Sequence, residues 1–297
     1  MFKGSITALI TPLKNGKVDE KAFQDLIEWQ IKQGSHGFVP CGTTGESPTL
    51  THEEHERVID LCIEAANGKV PVIAGTGSNS TDEAISLTKF SKGAGADAAL
   101  VVTPYYNKPT QEGLYHHFKA INDSCDLPII IYNIPGRSVV DINIETMKKL
   151  AKLKNIIGVK DSSNDLTRPL LTTKSIGKNF CQISGEDATV VPFLSQGGHG
   201  CISVTANIAP KMCSDLHNAW QKGNFKKVQS LNSFLFPLHN VLFLETSPGP
   251  VKYAASLLKI CSEELRLPLV TVAPNTKKEI KSILTKLKIK PIKKNKC

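Results

Sequence analysis

Long hydrophobic runs are absent from this sequence of 297 residues. No apolar stretch approaches the ~20 residues that a helix needs to cross a bilayer, so we expect no membrane-spanning segment. The N-terminal region is interrupted early by Pro12 and Lys14, which is not typical of a secretory signal peptide. Because 40% of the residues are hydrophobic, the chain can bury a large core, and the composition predicts a soluble globular protein.

Closely spaced cysteine pairs are also lacking. The eight Cys residues are scattered with no Cys-x-x-Cys pair, which in a chain of this length indicates free thiols and a cytoplasmic location. His52 and His55 resemble a metalloprotease helix, but they are three residues apart and the zinc motif requires four. Thr51 and Glu54 explain this segment as a helix capping box, and we therefore predict no metal site.

Acidic residues are scarce at the C-terminus. Residues 277–297 contain nine Lys and one Glu, so this segment accounts for +8 of the net charge of +9, and the rest of the chain is nearly neutral. No aromatic residue lies among these lysines to stack on a base. We interpret the segment as a solvated tail, and a nucleic-acid-binding protein that uses it as a basic arm is a remote alternative.

Apolar, β-branched runs alternate with segments of helical periodicity. The runs are residues 5–10, 37–40, 70–74, 98–102, 128–132, 156–160, 181–184 and 200–204. Such continuous runs are typical of parallel strands buried on both faces. The helical segments between them are 19–33, 51–66, 81–92, 111–121, 143–153 and 209–221. Eight strands in this alternation predict an α/β fold, a (β/α)8 TIM barrel.

A doubly wound open sheet is the alternative fold, but the turn after the first run has no G-x-G-x-x-G motif. Residues 225–244, 250–261 and 275–287 predict extra C-terminal helices. We therefore expect a barrel over residues 1–224 and a helical extension over 225–297 that ends in the lysine-rich tail.

Polar side chains follow several of the predicted strands. Lys160, Tyr132, the pair Thr43 and Thr44, and the pair Tyr105 and Tyr106 come at or just after the ends of four apolar runs. The carboxyl ends of all strands meet at one face of a TIM barrel, where the active site lies. We therefore expect these side chains to converge.

Position alone allows two interpretations for each of three residues, Lys160, Tyr132 and Arg137. A strand-end Lys160 can be a partly desolvated amine that attacks a ketone, or it can pair with Asp161. Tyr132 can relay protons, or it can bury its ring and leave the hydroxyl in water. Arg137, in a loop stiffened by Pro135, can bind a substrate carboxylate, or it can form a surface ion pair.

Four motifs taken together resemble one enzyme family. They are Gly42-Thr43-Thr44-Gly45-Glu46-Ser47, Pro104-Tyr105-Tyr106, Tyr132-Asn133-Ile134-Pro135-Gly136-Arg137 and Ile157-Gly158-Val159-Lys160-Asp161. In order and spacing they are similar to the dihydrodipicolinate synthase family, over residues 2–274. The resemblance implies a lyase of the lysine and diaminopimelate pathway that condenses pyruvate with aspartate-4-semialdehyde to 4-hydroxy-tetrahydrodipicolinate.

The resemblance also implies roles for individual residues. Lys160 would form an imine with pyruvate, so that no metal or organic cofactor is needed. Proton transfer would involve Tyr132, Thr43 and Tyr106, the last reaching across from a neighbouring subunit of a homotetramer built as a dimer of dimers. Positions that hold the pyruvate are matched by Thr44, Gly185 and Ile202. Arg137 matches the group that orients the carboxylate of the semialdehyde.

Many members of the family are inhibited by lysine at a second site. Its positions are matched by Ser47, His52, His55, Asn79, Glu83 and Tyr105. Pro48 replaces a residue that is often Ala, and it removes a backbone donor. Glu83 can also be explained as the partner of Ser80 in a capping box. Asn164 stands where the family commonly has Gly, and we expect it to affect loop conformation.

Other pyruvate-dependent aldolases of this superfamily are the alternative function. N-acetylneuraminate lyase and keto-deoxy sugar-acid aldolases also use a strand-end lysine. Arg137 favours the synthase, because the sugar-acid lyases generally lack a carboxylate-binding Arg at this position.

Overall fold

The computed structural model describes residues 1–292, and its centre is a barrel of eight parallel strands. The strands are β1 (Gly4–Ala8), β2 (Gly37–Val39), β3 (Ile73–Gly75), β4 (Ala98–Val102), β5 (Ile129–Asn133), β6 (Ile156–Asp161), β7 (Cys181–Ser184) and β8 (Gly200–Ser203). Their hydrogen-bonded order is β2, β1, β8, β7, β6, β5, β4, β3, and a bridge between Phe38 and Val72 joins the two ends of this series. The predicted (β/α)8 barrel is confirmed, and the alternative of an open sheet is wrong.

Helices lie between the strands and continue beyond the last one. They are α1 (Glu20–Lys32), α2 (His52–Ala66), α3 (Thr81–Ala94), α4 (Gln111–Ser124), α5 (Pro135–Ser138), α6 (Ile144–Leu150), α7 (Arg168–Ile176), α8 (Val190–Ser195), α9 (Pro210–Gln221), α10 (Phe225–Val241), α11 (Gly249–Leu257) and α12 (Pro274–Lys286). The capping box at the start of α2 forms as predicted, since Thr51 and Glu54 each bond the other's backbone N–H through their side chains.

Helices α5, α7 and α8 were not predicted from the sequence. In α7 the apolar pattern does not mark the buried face, because Leu170 and Leu171 are exposed whereas Pro169 and Thr172 are buried. Helix α8 has only six residues, which is too short for a helical period to stand out.

Short turns complete the connections. Three 3₁₀ turns lie at Thr43–Gly45, Ser47–Thr49 and Thr205–Asn207. After β1, residues Leu13–Lys14 pair with Lys17–Val18 in a small antiparallel hairpin. The first two 3₁₀ turns follow β2 at the carboxyl end of the barrel, which is the face where the predicted site residues should meet.

The barrel interior is a packed apolar core. It is formed by Ile6, Ala8, Val39, Ile73, Ala98, Leu100, Ile130, Tyr132, Cys181, Ile183 and Ile202. Because these side chains fill the interior, a substrate can reach only the mouth of the barrel.

The C-terminal helices include part of the lysine-rich segment. Helix α12 packs against α10 and α11, and it buries Ile280 and Leu284. Residues 277–286 therefore belong to a helix with a buried face, and the interpretation of them as a solvated tail is wrong. Residues 293–297 of the tail lie outside the described residues. The domain boundary between residues 224 and 225 falls in the turn between α9 and α10 and stays a prediction.

Candidate active site

Lys160 and Tyr132 lie side by side at the carboxyl ends of β6 and β5. They are paired in the parallel register of the two strands. The Lys160 Nζ atom is 3.9 Å from the centroid of the Tyr132 ring, and the two residues are only 7% and 6% exposed. The structure therefore brings an amine and a phenol ring together in a place largely removed from water.

Asp161 does not act as the partner of Lys160. Successive side chains of a strand point to opposite faces, and the Asp161 carboxylate contacts Arg168 Nε at 3.2 Å and Asn133 Nδ2 at 3.3 Å. It also accepts a hydrogen bond from the Ser163 N–H. The structure thus gives the carboxylate other partners on the outer side of the barrel, and the interpretation of Lys160 and Asp161 as an ion pair is wrong.

Thr43 and Thr44 occupy the 3₁₀ turn that follows β2. The Thr11 hydroxyl donates to the Gly45 carbonyl at 2.7 Å, and Gly45 N–H donates to the Gly42 carbonyl at 3.0 Å. Thr44 is buried, whereas Thr43 is half-buried and lines a cavity. The turn thus places Thr43 at the cavity and Thr44 in a buried position beside it.

Gly185 follows β7 and packs against the lysine. A Cβ atom at this position would lie 3.0 Å from Lys160 Cε and 1.8 Å from Ser162 Oγ. Any larger residue would therefore displace the lysine or the serine. Ile202 lies in β8, and its side chain belongs to the buried barrel core.

Arg137 lies in α5, directly after β5. Its Nη2 donates to the Ser247 carbonyl at 3.3 Å, and its side chain lines the cavity. A guanidinium there can offer its remaining N–H donors to a carboxylate. Its hydrogen bond and cavity position are not those of a surface ion pair.

One cavity of about 440 Å³ is lined by members of both predicted groups, but Lys160 and Tyr132 are not part of its lining. Its lining includes Thr43 and Arg137 from the candidate active site. It also includes most of the second predicted site, namely Ser47, Pro48, His52, His55, Glu83 and Tyr105. The cavity therefore extends from the mouth of the barrel to the start of α2 and α3.

Polar contacts organise the second group. His52 Nε2 lies 3.0 Å from Glu83 Oε1, and the Ser78 hydroxyl donates to the other oxygen of that carboxylate. His55 Nε2 contacts the Gly75 carbonyl at 2.8 Å, and burial lowers the pKa of this imidazole. Burial raises the pKa of the Tyr105 phenol.

One expectation about the second group needs correction. The Ser80 hydroxyl does cap α3, but its N–H bonds the Ser78 hydroxyl and not Glu83, so the reciprocal capping box with Glu83 is wrong. Asn79 donates to the Tyr105 carbonyl at 3.2 Å and is not part of the cavity lining.

Tyr106 is set apart from the other predicted site residues. It is 89% exposed, and it has a φ of 68°. Within one chain the ring lies in solvent whereas Lys160 is buried, so the structure does not bring Tyr106 together with Lys160.

Glu186 is a site residue that the sequence analysis missed. Burial raises its pKa to about 7, while the positive charges of Lys160 and Arg137 act in the opposite direction. It comes directly after Gly185 at the end of β7, so the strand-end rule could have found it. Its carboxyl is therefore a titratable group within the electrostatic influence of the amine and the guanidinium.

Comparison with known proteins decides the family. A sequence profile of the dihydrodipicolinate synthetase family matches residues 1–287. The chain belongs to this family. Membership makes it an enzyme of the lyase class. Lys160 and Tyr132, which belong to the motifs that indicated the family, lie at the barrel mouth.

Several members of the family are similar over nearly their whole length. The 4-hydroxy-tetrahydrodipicolinate synthase of Rhodospirillum centenum is 64% identical over 286 residues, which cover 96% of this chain and 98% of the relative. The crystal structure of dihydrodipicolinate synthase from Aquifex aeolicus has a TM-score of 0.96 at 46% identity, covering 99% of this chain and 100% of that one. The Acinetobacter baumannii enzyme, chloride-inhibited and complexed with pyruvate, has a TM-score of 0.95 at 45% identity, covering 97% and 100%.

Asn164 departs from the residue expected for the family, and its conformation explains why it is tolerated. It has a φ of 62°, in the left-handed region that favours Gly. Asn adopts this region more readily than other non-glycine residues, because its short polar side chain can bond locally. Asn164 therefore occupies, in the loop after β6, a backbone conformation that Gly also adopts readily.

Residues 1–292 contain neither a metal-binding cluster nor a membrane-spanning helix. No group of three or more His, Cys, Asp or Glu side chains in this part of the chain is arranged to hold a metal ion. None of its helices is both long and apolar enough to cross a membrane.

Proposed function

We propose that this chain condenses pyruvate with L-aspartate-4-semialdehyde to give 4-hydroxy-tetrahydrodipicolinate, through an imine on Lys160. One observation carries the proposal: the buried Lys160 amine lies 3.9 Å from the Tyr132 ring centroid at the barrel mouth. The name of the Rhodospirillum centenum relative and the pyruvate of the Acinetobacter baumannii structure support it.

In the first half of the reaction, the neutral amine of Lys160 attacks the keto carbon of pyruvate. The keto oxygen takes up a proton to become a hydroxyl, which takes up another and leaves as water, and the nitrogen loses its protons to form the imine. Tyr132 donates and accepts these protons, assisted by Thr43. Thr44, Gly185 and Ile202 hold the pyruvate carboxylate and methyl group against the lysine.

In the second half, the imine loses a methyl proton and becomes an enamine. Its carbon attacks the aldehyde of the second substrate, which becomes a hydroxyl group. The substrate amine then attacks the imine carbon, closes the ring and releases Lys160. The imine accepts the electron pair when the methyl proton leaves and again when the substrate amine attacks, so this chemistry requires no metal or organic cofactor.

Two charged groups are suited to the second substrate. Arg137 binds its carboxylate through the N–H donors that are free to face the cavity. Glu186, whose electrostatic neighbours include Lys160 and Arg137, faces its ammonium group when the carboxyl is ionised. The pair would select an amino acid aldehyde over a sugar acid.

The proposed assembly is a homotetramer that works in the cytoplasm. The exposed Tyr106 ring is consistent with a role across a subunit boundary, where it would join the proton relay of a neighbouring Tyr132. The proposed ligands are small-molecule substrates, and we propose no binding to nucleic acid or to membranes.

Borohydride trapping tests the proposal. Reduction in the presence of pyruvate should convert the imine to a stable secondary amine, and peptide mass analysis should place it on Lys160. A coupled assay should then show turnover with aspartate-4-semialdehyde and none with N-acetylneuraminate. An unmodified Lys160 would refute the mechanism, and turnover of the sugar acid alone would favour the alternative lyases.

The pH dependence follows from Glu186. Its pKa of about 7 means that the carboxyl is mostly ionised above neutrality and mostly protonated below it. We therefore expect kcat/KM for the semialdehyde to fall by about tenfold between pH 8 and pH 6. The Glu186→Gln variant should lack this inflection, and KM for pyruvate over the same range serves as the control. An inflection that persists in Glu186→Gln would contradict the assignment.

We also propose that free lysine binds at the α2 and α3 end of the cavity and inhibits the enzyme. The Glu83 carboxylate and the His52 ring offer partners for its charged groups, although Pro48 provides no backbone donor. Replacing Glu83 with Gln should raise the half-inhibitory lysine concentration by about tenfold, the loss of one charge-assisted bond. Glu53→Gln, on the exposed face of α2, is the matched control. Full activity at millimolar lysine would contradict the proposal.

A further inference from the structure

A fully buried ion pair joins the C-terminal helices to the turn that carries Thr43 and Thr44. The Nζ atom of Lys252 in α11 lies 2.6 Å from Oε1 of Glu46, and the two side chains are 0% and 1% exposed. The second oxygen of the Glu46 carboxylate accepts a hydrogen bond from the Arg266 N–H at 3.1 Å. Two C-terminal segments therefore hold one carboxylate directly beside the substrate-binding turn.

Glu46 has a backbone conformation that its surroundings must maintain. Its φ of 58° lies in the left-handed region, which residues other than Gly, Asn and Asp seldom adopt. Its N–H donates to the Thr43 carbonyl at 3.2 Å, and its own carbonyl accepts from the Thr49 hydroxyl at 3.0 Å. Since such a conformation persists only where the surroundings determine it, anchoring the side chain also fixes the turn.

Stability alone does not explain why two charges are buried at this place. Removing an ammonium and a carboxylate from water is expensive, and an apolar pair of similar size often gives an equally stable protein. A buried pair does fix geometry, because a charge left without its partner is costly in any other arrangement. The Lys252–Glu46 pair is therefore better explained by the position that it imposes on the turn.

The same C-terminal segment also reaches the other substrate-binding group. Ser247, which precedes α11, accepts the hydrogen bond from Arg137 Nη2. Helix α11 and the residues before it therefore contact both the turn assigned to pyruvate and the guanidinium assigned to the semialdehyde.

We propose that Lys252 is a positioning residue for the condensation. Through Glu46 it holds the turn so that the Thr43 and Thr44 hydroxyls meet the keto acid as the imine forms. This inference rests on the proposed function. Lys252 itself is fully buried and acts only through Glu46.

A neutral pair of similar volume tests the proposal. In the double variant Glu46→Gln with Lys252→Met, the melting temperature should stay close to that of the wild type. The rate of imine formation with pyruvate should fall by about 10- to 100-fold, as expected for a misplaced binding turn, with a higher KM for pyruvate. The KM for the semialdehyde should be nearly unchanged. The two single variants should together lower the melting temperature by more than the double variant does, because both break the same pair.

A matched control comes from the other end of the C-terminal region. Lys277 pairs with Glu263 at 2.6 Å on the partly exposed side of α12, and Lys277→Met should leave imine formation unchanged. A folded double variant with the imine kinetics of the wild type would overturn the proposal. Should that variant not fold, Glu46→Asp retains the charges but shortens the reach, and normal imine kinetics in it would overturn the proposal equally.

The readout also separates this inference from the proposed function. Imine formation requires pyruvate only, so a wild-type chain that traps pyruvate but does not turn over the semialdehyde refutes the proposed condensation and leaves the positioning test valid. A wild-type chain that forms no imine refutes both.

Discussion

Replacing Lys160 with Met is expected to lower kcat by about 10⁴-fold or more, because the variant has no amine to form the imine. The side chain retains similar length and apolar volume, so the barrel mouth should stay packed around Gly185 and Tyr132. Initial rates with both substrates measure the effect. Borohydride with pyruvate should give no adduct on the variant.

Lys154→Met is the matched control for this substitution. Lys154 is an exposed lysine shortly before β6, paired with Asp126, and its loss should leave kcat within about twofold. Substantial turnover by the Lys160→Met variant, or an adduct trapped on another lysine, would contradict the assignment of the nucleophile.

Replacing Tyr132 with Phe is expected to lower kcat by about 10²- to 10⁴-fold. The substitution removes only the phenol hydroxyl, while the ring stays in the barrel core beside Lys160. Proton transfer to the departing oxygen should slow, and the imine should therefore accumulate more slowly in single-turnover trapping. The KM values should change less than kcat, because the hydroxyl acts in the transition state.

The matched control is Tyr115→Phe, which removes a phenol hydroxyl from α4, outside the barrel core that holds Tyr132. Its rates should equal those of the wild type. A Tyr132→Phe variant that forms the imine at the wild-type rate would assign the proton relay to another group, with Thr43 the first residue to examine.

The barrel could be predicted from sequence because its strands are buried on both faces. Runs such as 128–132 and 156–160 are apolar up to their last residues, Tyr132 and Lys160, and they contribute to the neighbouring strands β5 and β6. Helix α1 was equally clear, since Phe23, Leu26 and Ile27 lie on one buried stripe. The short helices α7 and α8 could not be found in this way, because the burial of their side chains is decided by tertiary packing and not by a local period.

The candidate site was predictable where a functional side chain directly ends an apolar run. Lys160 and Tyr132 were each placed by the apolar run before them. Glu186 acquires its raised pKa from burial in the folded chain, against the opposing positive charge of Lys160, and no local pattern shows this. The partnership of Glu46 and Lys252 joins residues that are 206 positions apart in sequence, so only the folded chain reveals it.

The seam between β2 and β3 has fewer paired positions than any other junction of the barrel wall. One paired position, Phe38 with Val72, joins these strands, whereas five join β5 to β6. Local opening occurs most easily where few backbone bonds must break. Amide hydrogens along this seam should therefore exchange with solvent sooner than those of β5. Local opening there would affect the turn with Thr43 and Thr44 after β2, while β6, which carries Lys160, stays paired.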